Sequence, residues 1–173
     1  MILKVFKEKS IKKRINKLLS ERVVQSDNMV AKTLGVLINV DEFDDVTLFE
    51  KLANEIDIQS NNLKIIGFSA NKKDESQSFV NCYYLEDFKR NGDIKNIELQ
   101  TFLDTQFDVL MSYYTEDLLE LKFLTVRSKA KFKIGVLQTD ERLNDLIIKT
   151  KLKEFSVFKT EVFKYLRILN KIK

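Results

Sequence analysis

No histidine, proline or tryptophan occurs among the 173 residues, and the chain has one cysteine and four glycines. Average usage would give a chain this long about 12 glycines and 9 prolines. Each absence removes a class of function. Without histidine there is no Ser-His-Asp or Cys-His triad, no histidine-based zinc site and no imidazole general base. A single cysteine gives no disulfide within a monomer, no C-x-x-C redox pair and no four-cysteine metal cluster. Cys82 lies in the run Phe79-Val80-Asn81-Cys82-Tyr83-Tyr84, where a lone thiol reads as a small buried hydrophobe. Gly35, Gly67, Gly92 and Gly135 are too widely spaced for a G-x-G-x-x-G or P-loop phosphate cradle, whose glycines let backbone N–H groups approach the phosphates. No metal and no cofactor is expected. No apolar run is long enough to span a bilayer, and charges interrupt the N-terminal segment too often for a signal peptide. A cytoplasmic setting follows as the expectation.

What the chain does contain is a globular composition, 44% hydrophobic and 32% charged, at a length that suits one domain. The formal net charge of +4 is unevenly placed: residues 1–22 carry +6 and residues 149–173 carry +6, which leaves −8 on residues 23–148. Two basic ends flank an acidic body. Basic patches attract polyanions such as RNA, DNA or anionic lipid; the plainer alternative is that the ends pack on the acidic body or are solvated helix faces.

Hydrophobic periodicity predicts the elements. Residues 10–25 read as a basic helix capped by Ser10, with Ile11, Ile15, Leu18 and Leu19 as its stripe. Ile2, Leu3 and Phe6 form either a separate piece or a second apolar face. Leu34 to Val40 is a nearly continuous apolar run, as in a strand buried on both faces, and a helix to about Ile56 follows it. Further strands are expected at Leu63–Phe68, Phe79–Leu85, Phe107–Tyr113 and Lys131–Leu137. The ten-residue link Ser69–Ser78 is short for a parallel crossover, so the third strand should pair antiparallel or lie at an edge. Helices are expected near 97–104, from Thr115 to about Arg127, at 140–150 and at 153–172. The helix at 118–126 is apolar nearly all round, so either the domain covers it twice or a partner does, which makes it a candidate homo-oligomer contact. The sum is a single three-layer α/β sandwich with an about five-stranded, mostly parallel (mixed) sheet, a Rossmann-like arrangement. The basic N-terminal helix, residues 1–25, is a candidate appendage on the α/β domain at 26–173.

Two groups of side chains stand out as sites. Asp41, Glu42, Asp44 and Asp45 follow the first buried strand, where ligands of open α/β sheets bind. Carboxylates there suit a Mg²⁺–phosphate ligand, although capping of the next helix by Asp44 or Asp45 is the plainer explanation and also accounts for acids rather than bases at that place. Tyr114 and Thr115 end the fourth strand at the same rim, the tyrosine suited to stacking on a base and the threonine to phosphate at a helix start. The second group is basic: Lys7, Lys12, Lys13, Arg14 and Lys17 at one end, and Lys164, Arg167 and Lys171 at the other. A weaker strip, Arg127, Lys129, Lys131 and Lys133, alternates along an extended segment.

The segments Lys32-Thr33-Leu34-Gly35-Val36-Leu37, Asp41-Glu42-Phe43, Phe107-Asp108-Val109-Leu110 and Ser128 through Gly135 resemble a small uncharacterised bacterial family of unknown function, over about residues 10–170. The resemblance implies a bacterial, cytosolic setting and no particular activity. The expected function is a non-catalytic binding or scaffold protein that contacts RNA or a ribosome through its basic terminal helices, with an anionic membrane surface as another partner for the N-terminal helix. The alternative is a small nucleotide- or phosphate-binding protein or enzyme that uses the acidic rim.

Overall fold

The computed structural model describes residues 2–24, 29–71, 81–89 and 93–173. Strand β1 (Leu34–Asn39) is buried at every position and stands in the middle of the sheet, as its unbroken apolar run predicts. It pairs in parallel with β2 (Leu63–Ser69) on one side and β4 (Val109–Tyr113) on the other. Beyond β2 lies β3 (Asn81–Tyr84), and beyond β4 lie β5 (Phe132–Gly135) and β6 (Leu146–Ile147). The order is β3-β2-β1-β4-β5-β6.

Among the described residues the sheet therefore has six strands rather than five, all paired in parallel rather than mixed. Strand β3 does lie at an edge, but it is parallel to β2; most of the link between them falls outside the described residues. The segment 140–150, expected as a helix, carries the sixth strand instead. Asp145 donates its amide to the Lys133 carbonyl and Ile148 to the Gly135 carbonyl, so the apolar run Leu146-Ile147-Ile148 extends along β5.

Among the described residues, four helices cover the two faces. On one face α2 (Thr47–Glu55) and α5 (Phe155–Ile168) pack over Leu34, Val36, Ile38, Met111 and Ile134. On the other, α3 (Ile97–Asp104) and α4 (Leu119–Arg127) pack over Leu37, Ile66, Phe68 and Leu110. In β1, a Cβ at Gly35 would stand 2.7 Å from the Phe107 ring, so the close approach of that ring to the strand requires glycine.

Helix α1 (Ile2–Glu21) runs without a break, which places Ser10 inside the helix and not at its cap. The side chains of Ile2, Leu3 and Phe6 lie outside the described set. Ile11 and Ile15 are 0% and 6% exposed against α4, a gross burial of about 3–6 kcal/mol. Helix α1 is thus a further layer laid on α4. It accounts for the apolar character of α4: the sheet covers one side of α4 and α1 the other. Among the described residues, no helix is long and apolar enough to cross a membrane.

Candidate functional site: the crevice between β1 and β4

The chain leaves β1 toward β2 and β3 on one side and resumes at β4 on the other. The carboxyl ends of two strands at which the order reverses in this way are where open α/β sheets place their ligand crevice. The loop after β1 supplies Val40 to Val46, and the loop after β4 supplies Tyr114 to Asp117.

The structure brings Glu42 and Thr115 together across this crevice. Glu42 accepts hydrogen bonds from the amides of Thr115 and Glu116 at 3.0 and 3.1 Å, and from the Thr115 hydroxyl. Asn39, fully buried at the end of β1, donates its Nδ2 to Glu42 Oε2 at 3.1 Å and to Glu116 Oε2 at 3.0 Å. Its Oδ1 accepts from the Asp41 amide at 3.1 Å. Asp41 turns the other way, to the end of β2, and accepts from the Ser69 hydroxyl at 2.8 Å and the Ala70 amide at 3.0 Å. The acidic rim is therefore a set of staples joining the ends of three strands. Asp117 is held below the usual carboxylate range by its bond to Lys122, and Asp140, after β5, by its bond to Arg142.

Several expectations for this rim are corrected. Asp44 and Asp45 do not cap α2: its N-cap is Val46, which has no side-chain cap bond, and Asp45 accepts from the Thr47 hydroxyl instead. Thr115 does not cap α4, which begins at Leu119, because the carboxylate of Glu42 claims both its hydroxyl and its amide. Tyr114 is not on the rim at all. It is fully buried under α4 with its hydroxyl 2.8 Å from Thr125 Oγ1, and burial pushes its phenol upward. Strand alternation sends Tyr113 to the opposite face, where it donates to the Leu152 carbonyl at 2.9 Å and burial raises its phenol to about 12. Among the described residues, no group of three or more carboxylates or thiols is placed to hold a metal ion. An anionic ligand entering the crevice would meet carboxylates, an unfavourable field.

The two basic ends lie on opposite sides of the sheet, since α1 packs with α3 and α4 while α5 packs with α2. They do not form one surface. Much of their charge is met by the acidic body: Arg14 pairs with Asp93 at 2.6 Å, Arg22 with Asp145 at 2.5 Å and Lys159 with Glu55 at 2.9 Å. Lys164 pairs with Glu161 at 3.2 Å, Arg167 lies 6.0 Å from the Phe163 ring, and Lys171 is buried. The side chain of Lys7 is outside the described set. Lys9, Lys12, Lys13 and Lys17 face solvent along α1, with Lys17 3.8 Å from Glu21. The strip at 127–133 dissolves: Arg127 and Lys129 share Asp104, Lys131 pairs with Asp108, and Lys133 is buried.

Sequence reasoning missed Asn39, Ser69 and Glu116 as partners in the staples. It also missed a buried polar cluster beneath α4. Lys133 Nζ donates to the carbonyls of Thr125 and Val126 at 2.8 and 3.2 Å, and Ser112 Oγ lies 3.1 Å from Thr125 Oγ1. The one available signal was the polar residue closing an otherwise apolar strand, as Asn39 closes β1 and Ser112 interrupts β4. Cys82 is half-buried, and burial pushes its thiol up, as a small hydrophobe requires.

The chain matches the family of unknown function DUF6913 over residues 7–169 and belongs to it. Neither a curated protein nor a solved structure matches the chain.

Proposed function

We propose that this member of the DUF6913 family is a non-catalytic binding module of the bacterial cytoplasm that holds RNA, alone or in a ribonucleoprotein, against the solvent side of α1. The observation that carries the reading is the outward row Lys9, Lys12, Lys13 and Lys17 on a helix whose opposite side is fixed to α4 by Ile11 and Ile15. A docked helix presents its ammonium groups on one surface at spacings of one turn, so each can neutralise a phosphate without ordering the helix first. The α5 end drops out of the contact surface because it lies across the sheet from α1, with Lys159 and Lys164 paired to Glu55 and Glu161.

A Rossmann-like nucleotide or phosphate site in the crevice is the second reading. The strand order favours it, being that of dinucleotide-binding sheets. The carboxylates across the crevice weigh against it.

The test is fluorescence anisotropy with single-stranded RNA over a salt series, with anionic and neutral vesicles in parallel. Four phosphate contacts predict a log–log salt slope of about −3 for a single strand. Lys12→Glu with Lys13→Glu should weaken binding at low salt by at least about tenfold. No association at low salt, a flat slope, or binding to anionic vesicles and not RNA overturns the proposal.

A further inference from the structure

The chain just past α1 meets the segment ahead of β6 in a nearly buried ion pair. Arg22 follows the last residue of α1 and reaches Asp145, ahead of β6, at 2.5 Å, with the two side chains only 15% and 8% exposed. The same Oδ2 accepts the backbone amide of Lys133 at 2.8 Å. The Lys133 side chain, 1% exposed, runs under α4 and donates to two carbonyls of its last turn. Beside it on the same strand face, Asn144 lies against Gly135, where a Cβ would stand 2.2 Å from its Nδ2, and both amide atoms of Asn144 are buried without a hydrogen-bond partner. One carboxylate thus holds the guanidinium of Arg22 and the backbone of Lys133, whose own buried amine has carbonyls as its bonded partners.

We propose that this cluster is a pH-sensitive latch, in which Asp145 holds the end of α1 through Arg22 while Lys133 is neutral and holds it less firmly once Lys133 takes up a proton. The charged groups that face the amine are Arg22 from the end of α1 and Asp145 from the loop before β6. Helix α4 presents the carbonyls of Thr125 and Val126, and β4 places apolar Leu110 in register with Lys133. Burial, and next the charge of Arg22, bring the amine down to about 7, while Asp145 pulls it upward.

When the end of α1 lifts, the charge of Arg22 leaves while Asp145 stays, and the affinity of the amine for protons rises to a higher value. Between about 7 and that higher value the undocked state holds one proton more than the docked state. Docking therefore strengthens as pH rises through that window, by at most about tenfold per pH unit. Below about pH 7 both states are protonated and this group contributes no further change. The latch does not depend on RNA binding, so its test is read without RNA.

The experiment is hydrogen exchange on the full chain at pH 7, 8 and 9, expressed as protection relative to intrinsic rates. The last two turns of α1 should gain several-fold to tenfold protection per pH unit, while α5 changes much less. Lys133→Met should abolish the dependence. Should that variant fail to fold, Arg22→Gln with NMR titration of the lysine ε-carbons still decides: one lysine of the unaltered chain titrates near 7 and moves up in the variant. Protection of α1 that ignores pH, a dependence retained in Lys133→Met, equal changes in α1 and α5, or a lysine signal unmoved in Arg22→Gln overturns the proposal.

Discussion

Replacing Glu42 by alanine separates a structural staple from a carboxylate kept for a ligand. Its carboxylate receives four donors: the amides of Thr115 and Glu116, the Thr115 hydroxyl and the Asn39 side chain. A shielded hydrogen bond to a carboxylate contributes about 1.5–3 kcal/mol. Glu42 is only half-buried, so water can replace much of what it offers, and about 0.5–1 kcal/mol per bond is appropriate. The sum gives a loss of about 2–4 kcal/mol for Glu42→Ala, with Asn39 left short of an acceptor in a buried place. For a chain of this size that lowers the urea midpoint by about 1–2 M and Tm by about 4–16 °C. Asp44→Asn, on the same loop but bonded through its side chain to none of the crevice residues, should stay within about 0.5 kcal/mol. The measurement is equilibrium urea unfolding of both variants beside the parent chain. A Glu42→Ala protein as stable as the parent, or more so, would refute the reasoning. Ligand-binding carboxylates are commonly held against stability, and their removal stabilises; that outcome would return the crevice to the list of binding sites.

Two further predictions concern the core. Gly35→Ala should cost about 1–3 kcal/mol by overpacking against Phe107, and Phe107→Leu in the same chain should recover part of that cost; additivity of the two would show that the ring is not what excludes the methyl. Of the five tyrosines, Tyr113 and Tyr114 should remain unionised at pH 11 in the folded state because burial raises both phenols. Absorbance at 295 nm should then show a late step near pH 12 or on unfolding, and five tyrosines titrating together near pH 10 would contradict it.

Strand β1, α3 and the amphipathic stripes of α1, α2 and α5 could be read from local pattern because local pattern makes them. An apolar run five residues long, Leu34–Ile38, has nowhere to sit but the middle of a sheet, and Asn96 caps α3 through its own side chain, accepting from the Glu98 and Leu99 amides. The errors arise where a distant group outbids a local one. Thr115 and the two acids after it look like a helix start, yet Glu42, 73 residues away, takes the threonine. Leu146-Ile147-Ile148 looks helical by spacing, and the open edge of β5 makes it a strand. Lys133 looks like part of a solvated strip with Lys129 and Lys131, and is buried because the last carbonyls of α4 stand over it. The charge layout was visible in the sequence, but its meaning depended on which side of the sheet each end occupies.

The central place of β1 also sets a timetable for synthesis. Its partner β2 follows within one short helix, but β4 begins 70 residues after β1 ends. At about 5–20 residues per second the ribosome needs about 4–14 s to deliver it. During that interval the most apolar strand of the chain has one edge unpaired, the arrangement that recruits foreign strands. Slowing translation between residues 40 and 109 should therefore raise the aggregated fraction of newly made protein, while slowing after β4 should not.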